Sequence, residues 1–274
     1  MTAAGRHAQV QPLESPYLLT SAADRLGTGV AVTGDVGMVV VEVAVYGRWS
    51  PQLSEQVSAA LHMCLAGPSA AIIVDLHDLG DPHGGSLPFW LALWRQARLG
   101  AAPVYVTFCL PTATALSRRL RYLQGPQPRA YTTLPEARAA TAGRMSRADR
   151  LQIRLEPRPA SVKVARTLVT RACRAWDRQK LLHDTWLIAS ELAANAVEHA
   201  RTDFVVTVSR SNARLHVAIH DCVARFPHAS ELMLIAPQAS LGERGRGLRL
   251  VHATAASWGT VPTHDGKVVW AAVI

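Results

Sequence analysis

Glu191 and Asn195 stand four residues apart in the stretch Trp186-Leu-Ile-Ala-Ser-Glu-Leu-Ala-Ala-Asn-Ala-Val-Glu-His-Ala200. A carboxylate can take a proton, and a carboxamide oxygen is a hard, neutral ligand of the kind Mg2+ accepts. The residues Ile188, Ala189, Leu192, Ala193, Ala196 and Ala200 recur at helical spacing and predict a helix with one face packed inward. On that helix Glu191 and Asn195 share a face, one turn apart, within reach of one ligand. The same pair also suits the solvated stripe of an amphipathic helix, so its meaning depends on what surrounds it.

Two strand-like runs follow, Phe204-Val-Val-Thr-Val208 and Leu215-His-Val-Ala-Ile219, the second ending at His220-Asp221. After a long polar segment, Gly242-Glu-Arg-Gly-Arg-Gly-Leu-Arg-Leu-Val251 opens another helix. Gly245 and Gly247 permit the close backbone approach that turns N–H groups toward phosphate oxygens, and a helix starting near Leu248 adds its positive end. Arg244, Arg246 and Arg249 are placed to contact phosphate or simply to be solvated. Lys267 to Val273 reads as a closing strand, and Ser161 to Trp176 as a helix ahead of the first motif.

From about Leu155 to Ile274 this order resembles the ATP-binding module of histidine kinases and type II topoisomerases (the GHKL superfamily), and within it the anti-sigma-factor serine kinases of bacteria. The resemblance implies a Bergerat-type α/β sandwich over 156–274 that binds ATP with Mg2+. It implies Asn195 as the Mg2+ ligand and Glu191 as the base that accepts the proton of a protein hydroxyl. Asp221 would accept a hydrogen bond from the adenine amino group, and Gly245, Arg246, Gly247 and Leu248 would line the phosphates. The glycines that usually follow the aspartate are missing, since the chain reads Asp221-Cys-Val-Ala-Arg225. Residues 224–243 would form a lid; Glu198 and His199 are weaker candidates, His199 more simply stabilising a helix end.

The first half alternates strand and helix signals, which implies an α/β domain with a largely parallel sheet. Residues 1–27 read as a flexible arm. Strands are expected at 30–33, 38–46, 70–75 and 104–110, with helices from Ser50-Pro51 to about Leu65, over 87–99 and over 113–123. Residues 28–140 resemble the STAS domain of anti-sigma-factor antagonists, with 141–155 as a linker. Members of that family carry a phosphorylated Ser at a helix start, where this chain, counted from Asp75, has Gly84. Ser86 is nearby, as the helix N-cap or as an alternative phosphoacceptor.

A chain of 274 residues, 49% of them hydrophobic, has room for two such domains. The net charge of +9 comes from dispersed arginines without interleaved aromatics, which argues against direct nucleic-acid binding. No stretch reads as a signal peptide or membrane span, and Cys64, Cys109, Cys173 and Cys222 read as reduced core thiols of a cytoplasmic protein. The expected function is ATP-dependent phosphorylation of a Ser or Thr on a STAS antagonist, controlling a sigma factor, with homodimerisation implied by the resemblance. The alternative is a partner-switching module that binds without catalysis.

Overall fold

The computed structural model describes residues 17–18, 22–23, 28–100, 103–142, 148–211, 214–226 and 246–274. In chain order the first half gives β1 (Tyr17–Leu18), β2 (Ala22–Ala23), β3 (Gly29–Gly34), β4 (Val40–Arg48), α1 (Pro51–Ala66), β5 (Ala71–Asp75), β6 (Leu79–Gly80), α2 (Leu87–Leu99), β7 (Tyr105–Cys109), α3 (Ala115–Arg121), β8 (Arg129–Tyr131) and α4 (Leu134–Ala142). One sheet runs β2-β3-β4-β5-β7-β8, with β6 beside β4; it is parallel from β4 to β8 and antiparallel at β2-β3-β4. Ala71, Ile72, Ile73 and Val74 of β5 are all buried, as a strand covered on both faces requires. Ser50 caps α1 by accepting the Leu53 N–H at 3.2 Å, and Pro51 opens the helix.

The second half gives β9 (Arg150–Leu155), α5 (Pro159–Ala175), α6 (Leu182–Asn195), β10 (Phe204–Ser211), β11 (Arg214–Asp221), α7 (Arg246–Thr254), β12 (Ser257–Pro262) and β13 (Lys267–Val273). Its sheet runs β1-β12-β13-β11-β10-β9 and is antiparallel except at β1. Leu215, Val217 and Ile219 of β11 join the core beneath the helices, with Ala165, Leu168, Ile188 and Leu192 above them. Both halves are thus α/β, the class expected from the sequence.

Alternate residues of this second sheet face the other way. Ala218, Val261, Val268 and Trp270 belong to the core of the first half. The strand period of two gives the sheet two apolar faces, one under its own helices and one against the neighbouring α/β layer. Two pieces of the segment read as a flexible arm are paired: β1 extends the second sheet and β2 the first, and the Tyr17 ring stacks on Trp270 at 6.1 Å. Likewise, 150–155 is not linker but an edge strand. Leu151, Ile153 and Leu155 pack toward the core while Arg150, Gln152 and Arg154 point away. Cys64, Cys109 and Cys173 are buried, but Cys222 is exposed because it falls just past the end of β11. Among the described residues no helix is long and apolar enough to cross a membrane.

Candidate active site

Helix α6 is fixed from below and from the side. Ile188, Ala189, Leu192 and Ala193 are buried, and Ser190 bridges to α5 by accepting the Arg166 Nε–H at 2.6 Å. That leaves Glu191 and Asn195 half-buried on the remaining face. The helix widens into a π turn over Ala196–Ala200, immediately after Asn195, and ends at Arg201 in the left-handed conformation. Glu198 and His199, on that turn, are exposed.

The first turn of α7 lies against this face. A side chain at 247 would place its Cβ 2.9 Å from Glu191 Oε2 and 3.4 Å from Asn195 Oδ1, so glycine lets the α7 backbone sit beside the carboxylate and the carboxamide without displacing the Glu191 side chain. Buried Val251 and half-buried Leu248 anchor α7 in the core. Glu191, Asn195, Gly247 and the start of α7 at Arg246 therefore converge, although they are far apart in the chain. Gly245, Arg244 and residues 227–243 of the expected lid lie outside the described residues.

Asp221 closes β11 and is 4% exposed. Its Oδ1 accepts hydrogen bonds from the Val223 N–H at 3.0 Å and from Lys267 Nζ at 2.8 Å. Lys267 is itself buried and also donates to the Val223 carbonyl at 2.9 Å. The pairing of β11 with β13 sets Asp221 opposite Lys267, which makes this ion pair a product of strand register. Gly266 permits the approach, since a Cβ there would lie 1.9 Å from the Asp221 carbonyl oxygen. Sequence reasoning missed Lys267. A lysine opening an otherwise apolar closing strand was the available signal, because a buried ammonium requires a carboxylate partner.

Residues 155–272 match the family model of the histidine kinase-like ATPase domain. This part of the chain is such an ATPase domain. Among solved structures, the chain is similar to the RsbU and RsbW domains of Rv1364c from Mycobacterium tuberculosis, with 15% identity and a TM-score of 0.34. That match covers 54% of this chain and 34% of the other, so the chain spans about a third of that relative's length. It is also similar to an anti-sigma factor antagonist from Mycobacterium paratuberculosis, with 22% identity and a TM-score of 0.34, over 44% of this chain and 99% of that one. No curated protein matches. Within the ATPase domain, the expected phosphate end brings Gly247 beside the Asn195 carboxamide oxygen, a hard donor of the kind that suits Mg2+. At the adenine end, one oxygen of Asp221 is already held by Lys267.

In the first half, the position expected to carry a phosphoacceptor is closed to any side chain. Gly84 has φ +64, and a Cβ there would lie 2.9 Å from Arg119 Cδ and 3.2 Å from the Leu116 backbone nitrogen. Arg119 Nη1 also donates to the Gly84 carbonyl at 3.1 Å. Ser86 occupies the N-cap position but does not cap. Its hydroxyl donates to Asp81 Oδ2 at 2.6 Å and accepts the Trp90 indole N–H at 2.9 Å, and the residue is 1% exposed. A buried hydroxyl with both roles filled is not available as a phosphoacceptor in this conformation. Placing a hydroxyl there with Gly84→Ser should destabilise the protein by about 1–3 kcal/mol, from the left-handed backbone and the contact with the α3 backbone. Chemical denaturation of both proteins checks this, and an unchanged midpoint would refute the steric account. Asp75, His77 and Cys109 also cluster. However, both ring nitrogens of His77 face acceptors, Asp75 Oδ1 at 2.6 Å and the Thr132 carbonyl at 2.9 Å. These hydrogen bonds, the Asp75 one foremost, raise the pKa of His77 and engage both ring nitrogens, which leaves neither free for a metal.

Proposed function

We propose that the chain is an anti-sigma-type regulator whose ATPase domain binds Mg-ATP and phosphorylates a Ser or Thr on a separate STAS antagonist, so controlling a sigma factor. The observation that carries this reading is the convergence of Glu191, Asn195 and the glycine-faced start of α7 within a histidine kinase-like ATPase domain. When bound, ATP would supply the terminal phosphoryl group, with ADP leaving. Asn195 would hold Mg2+ through Oδ1. Glu191, one turn earlier, would orient the incoming hydroxyl and take its proton, while the N–H groups at the start of α7 face the phosphates. The substrate is a separate protein because Gly84 has no hydroxyl, Ser86 is buried, and the first half packs on the sheet face turned away from α6 and α7. The site of action is the cytoplasm, without direct contact to nucleic acid or membrane.

Calorimetry with Mg-ATP tests the nucleotide site. Asn195→Ala should weaken binding by at least about tenfold, because a charge-assisted ligand to the metal is lost. Equal affinity in wild type and variant would remove Asn195 from the site. One observation favours a second reading, a partner-switching module that binds without turnover: Lys267 engages the carboxylate expected to read adenine. ATP binding with no transfer to any STAS antagonist would select that reading.

A further inference from the structure

The face of the second sheet that meets the first half is apolar at β13 but becomes polar toward β9. Strand register places Arg150, Ser209 and His216 in one row across β9, β10 and β11, because Ser209 pairs with both of the others. Cross-strand partners point to the same face, and Arg214, two residues before His216, points there too. Opposite this row stand the α1–β5 turn, with Ser69, and the start of β7. Between them lies a cleft of about 400 Å³, within the range of small-molecule sites.

Two features of the cleft are unexplained by packing. His216 is 3% exposed with no hydrogen-bond partner for Nδ1, and Ser69 is 5% exposed with none for Oγ. Leaving a buried polar atom unpaired costs about 1–3 kcal/mol, so two in one cavity point to an occupant that supplies partners. The charge of the lining says what kind: Arg150, Arg210 and Arg214 stand against the single carboxylate of Asp149. Asp149 is committed to Arg210, whose Nε–H it accepts at 2.5 Å, while Arg150 and Arg214 line the cleft, Arg150 making one long hydrogen bond from Nη2 to Gln152 Oε1 at 3.4 Å. Asp35 lies near Arg150 at the margin, but its Oδ1 already accepts the Val39 and Val40 N–H groups.

From this we infer that the cleft between the two α/β layers is a binding site for a small phosphate-bearing ligand, held by Arg150 and Arg214 with His216 and Ser69 as hydrogen-bonding partners. Arginine's planar fork suits a phosphate dianion, and the buried His and Ser hydrogen-bond the oxygens the guanidinium groups do not reach. Because its walls come from both halves of the chain, an occupant ties them together and stabilises their docking by mass action. The site is separate from the one on α6 and α7, since His216 lies on the opposite sheet face from Leu215, Val217 and Ile219.

The test uses the full chain with isotope-labelled histidine, inorganic phosphate as the probe, and chloride to hold ionic strength constant. Burial, helped by the Arg214 charge, keeps the His216 imidazole down at about 4, which makes it neutral at pH 7. Phosphate should shift the His216 signal saturably, and should move its titration midpoint upward, since a bound anion favours the imidazolium. His216→Gln assigns the signal. Arg150→Ala and Arg214→Ala should each weaken the phosphate response by at least about tenfold, and Asn195→Ala should leave it unchanged. An unmoved His216 signal at saturating phosphate overturns the site. So does a response that survives both arginine substitutions, or one that Asn195→Ala abolishes, which would place the phosphate beside α6 instead.

Discussion

Glu191→Gln should fold normally, bind Mg-ATP with near wild-type affinity, and transfer phosphate to a STAS antagonist about 10²–10⁴-fold more slowly. The substitution keeps size and shape, which matters because Oε2 lies where a side chain at 247 would begin, and the start of α7 therefore need not move. What it removes is the ability to accept a proton. If Glu191 only decorated the helix, an exposed-face carboxamide would alter neither binding nor rate. If it bound the metal, the loss would appear in affinity, as expected for Asn195→Ala. Single-turnover transfer from labelled ATP, alongside calorimetry of the same samples, separates these cases. A Gln variant that transfers at the wild-type rate would remove the base from the mechanism while leaving the nucleotide site standing.

How much of this was legible follows from the range over which each signal acts. The helix carrying Glu191 and Asn195, the strands of β10 and β11, and the closing strand were readable because periodicity and capping are local; Ser50-Pro51 marks the start of α1 to the residue. The Leu151, Ile153, Leu155 alternation was equally local, but the polar Gln152 and Arg154 between them gave it the look of a connector until β10 paired with it. β12 was passed over, since Gly259 and Pro262 mask a six-residue strand. What could not be read were pairings set by long-range register. Lys267 meets Asp221 only because β13 returns beside β11, and Arg150 meets His216 only through Ser209. Gly247 was expected beside phosphates, but its contact with Glu191 and Asn195 depends on how α7 crosses α6. The second apolar face of the ATPase sheet was likewise invisible: Ala218, Val268 and Trp270 read as ordinary strand residues until a second layer covers them.

The Lys267 pairing gives the other large effect. Lys267→Met should destabilise the protein by about 3–5 kcal/mol, measured by denaturant unfolding at neutral pH, because it leaves the Asp221 carboxylate buried without its counter-ion. Side-chain exposures of 10% for Lys267 and 6% for Asp221 leave water little room to compensate. The double variant Asp221→Asn with Lys267→Met should recover much of that loss, since removing both charges lifts the desolvation cost that each imposes alone. A single substitution that changes stability by less than about 1 kcal/mol would mean that solvent reaches the pair, as at a surface salt bridge. The same variants examine how the ATPase domain meets adenine. If Lys267 competes for the carboxylate, Lys267→Met should bind ATP more tightly than wild type while affinity for tripolyphosphate, which lacks the base, stays unchanged. If Lys267 instead holds Asp221 in the pose that adenine requires, ATP affinity should fall with stability, and the double variant should bind like tripolyphosphate alone. Either result would locate the base relative to Asp221, whose position between β11 and β13 is set by strand pairing.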